Sequence, residues 1–522
     1  MKKMLTVTAL AISVVAAWVA FPPLVVAQAG PIAPMTSILE NFPGVDLNSD
    51  PETATPPDSN GAAGPNHFVE FINGAFATYH KDGTPAQPLI PDTTFWTNAG
   101  ITPSTIAAGL SDPRIIYDSA SGHWFAAQIT VDNTGNKVLV ARSDTSDPTG
   151  VWKAASFTGN ASNPKNPGNS SGFADFPTLG MDANGVYVGT NNFTSGSGAF
   201  SGASLFSIPK SDLTASTPTV THITGFENLA PAITRGATFQ AAIDQNGSSG
   251  AVLSTDATGS TFGTFYRATI TGSDGTGAHL SATTPIAVTS DGSPGAARQP
   301  DGTAVVDAGD NRFSANVSQV GNLIFSARTI SDNHVANLGT HDFIDWVILD
   351  AATNTVVHEG TISDPNFDYF FPSIAANPNG NILLAFNRSG GLGSAPGGYI
   401  SAFAEACQLT GGAVACGNPF LLQQGAGNFH LLGDLSFDPT IPERWGDYST
   451  LSIDPNNPSD FWTVQEVPFQ DATGLGLETM WGTQITEIGF VGAVPEPSTL
   501  ALMSLGLLGL AVRRRRGRAP LA

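Results

Sequence analysis

The sequence predicts an all-β protein, and within that class a β-propeller of seven four-stranded blades. Three observations carry the prediction. Turn formers are abundant, with 57 Gly and 37 Pro among 522 residues, while only 12 % of residues are charged, about half the share in an ordinary globular domain. Short apolar and β-branched runs recur between Gly, Asn, Asp and Pro, and helical periodicity is hard to find between residues 56 and 490. These runs form units whose starts lie roughly 50 to 75 residues apart, a period that suits a four-stranded sheet with its loops.

Composition removes several alternatives. A coiled coil or helical bundle needs few helix breakers. A charged disordered chain needs low hydrophobicity, whereas this one is 41 % hydrophobic with 31 Phe. Nucleic acid is excluded as a partner because a chain of net charge −22 is repelled by phosphate.

The repeated element is an apolar run, an Asp or Asn, a short turn with Gly, and a second apolar or aromatic run. Ile115–Phe125 is one copy, turning through Asp118 and Gly122; Leu179–Val188 is a second, with Asp182-Ala183-Asn184-Gly185; Ile374–Leu384 is a third, with Asn377-Pro378-Asn379-Gly380. Ala242–Gly247 and Val317–Ile324 are looser copies, and Leu451–Trp462 carries a longer turn. Asn-Gly and Asp-x-x-Gly tolerate the positive φ that tight hairpins need, so each copy is read as a β-hairpin.

A second signature precedes the hairpins. Asp112-Pro113, Asp175-Phe176-Pro177, Phe371-Pro372 and Trp445-Gly446-Asp447-Tyr448 each open a unit. Asp58–Pro65 opens the first, a weak unit starts near Thr234–Phe239, and Arg298-Gln299-Pro300 is read as a divergent start, which makes seven. A parallel β-helix would show a shorter and stricter period; two stacked β-sandwiches remain the alternative.

Both chain ends are set apart. Residues 1–27 read as a signal peptide: Lys2 and Lys3, an apolar stretch from Met4 to Ala20, and small residues before Gln28, with Phe21-Pro22-Pro23 favouring cleavage over a permanent anchor. Residues 28–55 are read as an extended N-terminal segment and 56–490 as the propeller. At the other end Pro495-Glu496-Pro497 precedes an apolar run to Val512, expected as a single helix, and then Arg513, Arg514, Arg515, Arg516 and Arg518. Ser498–Val512 would span about 22 Å as a helix, against roughly 30 Å of hydrocarbon, a gap that snorkelling arginines close. The basic cluster stays cytoplasmic by the positive-inside bias. The two ends hold seven basic residues and one acid, so residues 28–494 carry 14 basic and 42 acidic residues, a net −28. Cys407 and Cys416 are the only cysteines, and in an exported chain they are expected to form a local disulfide.

The tail, residues 494–518, closely resembles the PEP-CTERM sorting signal of Gram-negative bacteria, also catalogued as an ice-binding protein C-terminal domain. That resemblance implies an exosortase as partner, cleavage near the Pro-Glu-Pro, transient anchoring in the inner membrane, and a final place on the cell surface, in the exopolysaccharide matrix or in the medium. The body is similar to secreted sialidase-like or BNR-like propellers of unassigned activity. The segments that carry the similarity are Pro56–Gly61, Gly64–His67, Asp112–Arg114 and Arg444–Tyr448; the group's strict Asp-box is absent.

Asp58, Asn60, Asp112, Asp175 and Asp447 are the candidate channel residues. Equivalent places on inner strands would bring these acids together, either to bind calcium through oxygens at about 2.3–2.6 Å or to accept backbone N–H bonds and lock the blades. Asp46-Leu47-Asn48-Ser49-Asp50 is a weaker calcium candidate. A glycosidase would need a carboxylate pair from Asp112, Asp175, Asp447 and Glu466, and a sialidase-like clamp would draw on Arg114, Arg235, Arg298, Arg312 and Arg444. No nucleophile elbow or His-x-x-x-His motif is present. Trp124, Trp152, Trp445, Trp462 and Trp481 are read as fillers between blades, with sugar stacking as the alternative. The expected function is a non-enzymatic propeller that binds polysaccharide or envelope proteins, with no cofactor beyond a candidate calcium ion. A secreted glycoside hydrolase or lyase and a structural adhesin without a pocket are the rivals.

Overall fold

The computed structural model describes residues 33–132, 135–159, 172–195, 198–229, 235–247, 250–256, 262–275, 277–302, 305–331, 341–430, 442–470 and 479–491. The signal segment, the sorting motif, the apolar run and the arginine cluster lie outside the described residues. Seven antiparallel sheets follow one another along the chain and form a seven-bladed propeller. The expected hairpins are the turns between the first and second strands of the blades. Asp118 joins Leu110–Asp118 to His123–Thr130, and Asp182–Gly185 joins Gly172–Met181 to Gly185–Thr194.

The recurring Asp or Asn has one local job. Its side chain accepts the backbone N–H groups of the turn that follows, which fixes the reversal. Asp182 Oδ1 accepts from Asn184 and Gly185 at 2.7 and 2.8 Å. Asp244 Oδ1 accepts from Gly247 at 2.9 Å, Asn377 Oδ1 from Asn379 and Asn381 at 3.0 Å each, and Asp454 Oδ1 from Asn456 at 2.8 Å.

The blade-start signature is a β-bulge on the innermost strand. Asp112, Phe176 and Phe371 have φ of 62°, 51° and 47°, each is followed by proline, and the ladder shifts register across each one. Proline cannot donate to a ladder, and a non-glycine residue at positive φ redirects the strand. Thr238, φ 57°, repeats the bulge without proline, and this places the fourth inner strand at Ala237–Ala241.

Two sequence expectations change. Arg298-Gln299-Pro300 does not open the fifth blade. Arg298 ends one strand of an inserted two-stranded sheet, Ala296–Arg298 with Val305–Asp307, held there because Asp368 of the sixth blade takes both its backbone N–H and its guanidinium at 2.8 Å. The fifth inner strand is Ser318–Val320. The Met35–Asp46 stretch of the N-terminal segment belongs to the propeller: it pairs with Thr479–Val491 as the outermost strand of the seventh blade.

That pairing closes the ring, and aromatic packing fills the seam. Trp462 of the seventh blade stacks on Phe68 of the first with ring centroids 5.5 Å apart, and Phe42 meets Trp462 at 6.3 Å. Trp124, Trp152, Trp445, Trp462 and Trp481 are all buried, so they pack the blades as expected and offer no exposed sugar platforms. The Cys407–Cys416 disulfide is present and joins directly paired residues of two adjacent strands. Among the described residues no helix is long and apolar enough to cross a membrane.

Trp462→Ala is expected to destabilise the protein by about 3–5 kcal/mol in a denaturant melt. The exposed Leu421→Ala is expected to stay within about 0.5 kcal/mol.

Candidate functional site

The inner strands begin at one end of the central axis and run to the other, and the two ends differ. At the starting end the structure gathers Asp58, Asp112, Asp175 and Asp447 with Arg114, Arg312, Arg444, Tyr448 and Glu466. Their carboxylates act on one another's ionisation: Asp447 and Asp112 both oppose ionisation of Asp58, and Asp112 opposes that of Asp175.

The bonds in this cluster run between blades. Asp58 Oδ1 accepts the backbone N–H of Asp447 at 2.9 Å, and its other oxygen accepts Asn73 Nδ2 at 2.8 Å. Asn73 Oδ1 then accepts the backbone N–H of Asp112 at 2.8 Å. Asp112 accepts the Tyr448 hydroxyl at 2.5 Å. Asn60 Oδ1 accepts the N–H of Ile115 at 2.8 Å, tying the first blade to the second. Asp175 stands on the third inner strand beside its bulge.

The arginines are consumed as well. Arg114 is buried, donates Nε to the carbonyl of Pro177 at 2.8 Å and lies 3.4 Å over the Tyr448 ring. Arg312 pairs with Asp310 at 2.6 Å and lies 3.8 Å over the Phe176 ring. Arg444 pairs with Asp307 at 2.9 Å and Asp447 at 3.3 Å. The remaining clamp candidates lie apart: Arg298 is held by Asp368, and Arg235 donates its backbone N–H to Asn228. Glu466 is buried and accepts the N–H of Gly446 at 2.9 Å, while its second oxygen has no partner.

Acids outnumber bases here, and burial sets their ionisation. Burial, reinforced by the neighbouring carboxylates, pushes Asp175 up to about 7 and holds Asp58 well above its ordinary range. Burial pushes Asp447 up to about 6 against the pull of Arg444. Glu466 is raised well above its ordinary value chiefly by burial. Burial thus favours the protonated form of Asp58, Asp175 and Glu466, while Asp447, at about 6, keeps its ion pair with Arg444.

Among the described residues, the one group of three or more metal-binding side chains whose ligand atoms all lie within 4.8 Å of one another is Glu405, Cys407 and Cys416, and the two sulfurs there are bonded to each other. At the other candidate, Asp46 Oδ1 accepts the N–H of Ser49 at 2.8 Å, and Asp50 accepts those of Glu52 and Ala54 at 3.0 and 2.6 Å. Both are turn locks. The cavity at the cluster, bounded by Phe176, Arg312, Phe371 and Asp447, holds about 10 Å³, the volume of a single water.

The opposite end is open. A channel of about 560 Å³ runs between the inner strands, walled by Ala62, Ile115, Ile243, Ile374 and Leu451 and rimmed by hairpin residues that include Asp244, Gln245 and Gln319. Its volume lies in the range of small-molecule sites. Sequence reasoning missed this site and the partner Asn73, which no local pattern marks because it acts on a residue of another blade; Tyr448 stands in the Trp445–Tyr448 signature, but its bond to Asp112 crosses blades and is not legible there.

Residues 493–516 match the PEP-CTERM protein-sorting motif. The motif marks an exported protein that an exosortase recognises and processes at the membrane. No curated protein matches the chain. Among solved structures, an endosialidase of phage phi92 aligns at 9 % identity over 72 % of this chain and 66 % of its own, with a TM-score of 0.39. Drosophila Semaphorin 1b, domains 1–2, aligns at 7 % identity over 88 % of both chains, TM-score 0.39. Trypanosoma rangeli sialidase aligns at 10 % identity over 83 % of this chain and 58 % of its own, TM-score 0.34. The chain thus spans less than two thirds of either sialidase. The seven-bladed assignment rests on the strand pairing.

A carboxylate whose folded pKa lies above its unfolded value contributes stability that is fully present below the unfolded value and is lost as pH rises through the folded one. For Asp175, between 3.8 and about 7, the loss is about 1.4 kcal/mol per pH unit. Asp175→Asn is therefore expected to match the native protein at pH 4 and to melt higher than it at pH 8. Parallel thermal melts across that range check this.

Proposed function

We propose that this protein is an exported, exosortase-processed component of the cell envelope or exopolysaccharide matrix whose propeller binds a ligand without transforming it. The observation that carries the reading is the contrast between the two ends of the axis. At one end every cluster arginine is paired or stacked, the acids lock neighbouring blades together, and about 10 Å³ of space remains. At the other, about 560 Å³ of channel is unfilled by protein. Most glycosidases need two carboxylates flanking a bound sugar, and the cavity at the carboxylate cluster has the volume of one water.

The geometry favours a protein, one of the two expected ligand classes, or a small amphiphile, which the sequence did not suggest, over a glycan. The five tryptophans first in line to stack on sugars are buried, and Tyr117 is the sole aromatic among the residues lining the channel. Sugar faces have little to lie on.

The test is a binding screen of the full chain against polysaccharides and envelope extracts, with calcium or chelator, alongside an assay for released sugar. Binding that is insensitive to chelator, with no sugar released, is the expected result. Cleavage of any polysaccharide that Asp112→Asn abolishes would overturn the non-catalytic reading.

A further inference from the structure

The channel can be read more closely than its volume. Its wall is aliphatic, and its polar groups are unbalanced: Asp244 and Asp454 line it, and among the described residues no Lys, Arg or His does. Asp454 is already matched, since it bonds Lys81 and accepts Trp462 Nε1 at 3.2 Å. Asp244 has no such cation. It is buried, and its side chain is met by turn amides of its own hairpin, Gly247 N–H at 2.9 Å and the N–H of Asn246, with no cation beside it among the described residues.

A second group stands beside it. Ile243 and Ser318 pair across adjacent blades, and the N–H of Gln319 donates to the carbonyl of Ile243 at 3.0 Å, so Asp244 and Gln319 follow directly from bonded neighbours. Gln319 spends its Nε2 on the carbonyl of Gly321 at 2.9 Å. Its Oε1 is buried with no hydrogen-bond partner. A buried acceptor left unmade costs the fold its desolvation, and a ligand that brings a donor recovers that cost. Gln245 offers little competition, because its Nε2 donates to the carbonyl of Tyr117 at 3.1 Å and its Oε1 accepts the hydroxyl of Ser119.

Taking the channel as the binding site, as proposed above, we infer that it takes an aliphatic ligand carrying a primary ammonium group, with the alkyl part between the apolar inner strands and the N–H donors on Asp244 and Gln319. An ammonium satisfies the carboxylate and the orphaned amide oxygen together, because it carries three donors and no acceptor. An anionic amphiphile meets an uncompensated carboxylate in an apolar wall and is rejected. Burial raises the pKa of Asp244, so its charged form gains from a bound cation.

The experiment titrates the full chain with four eight-carbon probes by calorimetry: octylammonium, octyltrimethylammonium, octanol and octanoate, all below micelle formation. Octylammonium is expected to bind about tenfold or more tightly than octanol, with octanoate weakest and the trimethylated probe, which lacks N–H donors, falling below octylammonium. Asp244→Asn is expected to reduce octylammonium to the level of octanol while leaving octanol unchanged. Two channel-filling variants, Ala375→Trp and the more exposed Val320→Trp, are expected to abolish binding of every probe, and a thermal melt of each identifies any that fails to fold.

Octanol binding that the filling variants remove, with no preference for the ammonium, overturns this inference and leaves the channel as the binding site. Equal binding of octanoate, or an ammonium preference untouched by Asp244→Asn, also overturns it. Failure of all four probes, or binding that survives both filling variants, overturns the channel reading itself.

Discussion

Everything in this molecule depends on closing a ring between residues almost the whole chain apart. A propeller blade is a four-stranded sheet, and its edge strands become safe only when neighbours stand on both sides. The last blade is completed by the first strand, through the pairing of Met35–Asp46 with Thr479–Val491. The same junction is fixed at the axis, where Asp58 meets Asp447 and Asp112 meets Tyr448. Between these levels the buried Glu70 accepts the N–H of Val45 at 3.1 Å and bonds the hydroxyl of Thr483. Each contact spans a loop that costs entropy to close, so the junction is tied at several radii and not at one point.

Inner strands of neighbouring blades do not form a regular ladder with each other, so the axis is held by side chains reaching across to backbone and, among the third, fourth and fifth blades, by isolated backbone bridges. The bulges make that possible. At Phe371 the redirected backbone offers its N–H to Thr329 of the fifth blade at 3.2 Å and its carbonyl to Ser449 of the seventh at 2.7 Å. At Thr178 and Thr238 hydroxyls connect the third and fourth blades at 2.6 and 2.8 Å. Strained φ values cluster here because a repeated interblade bond offsets them.

Division of chemistry follows from this. One end of the axis collects carboxylates and arginines because bulged strand starts project polar groups there, and the ring is sealed by their mutual bonds. The other end collects hairpins whose Asp and Asn side chains fold back on their own turns, so the channel between them stays open and aliphatic. At the sealed end burial shifts Asp58, Asp175, Asp447 and Glu466 towards their protonated forms, which lessens the cost of enclosing them.

The sequence by itself determined the hairpins, most blade starts, the disulfide and the sorting tail. These are local features: a turn needs an Asp or Asn and a Gly within a few residues, and a bulge shows as a residue before proline on an apolar run. It also singled out Asp58, Asn60, Asp112, Asp175 and Asp447. Tertiary structure alone decided what they do, because Tyr448, Asn73 and Arg114 meet them only after the ring closes. The fifth blade was misplaced at Arg298 for a related reason: its inner strand, Ser318–Val320, has three residues and no proline sign, while Arg298 is held by an acid seventy positions away. The strand Met35–Asp46 joins the propeller through a partner at the far end of the chain. The open channel is likewise a property of no single segment, since residues such as Ile115, Ile243, Ile374 and Leu451 are apolar for their own blades and acquire a ligand-sized space only from their neighbours across the axis.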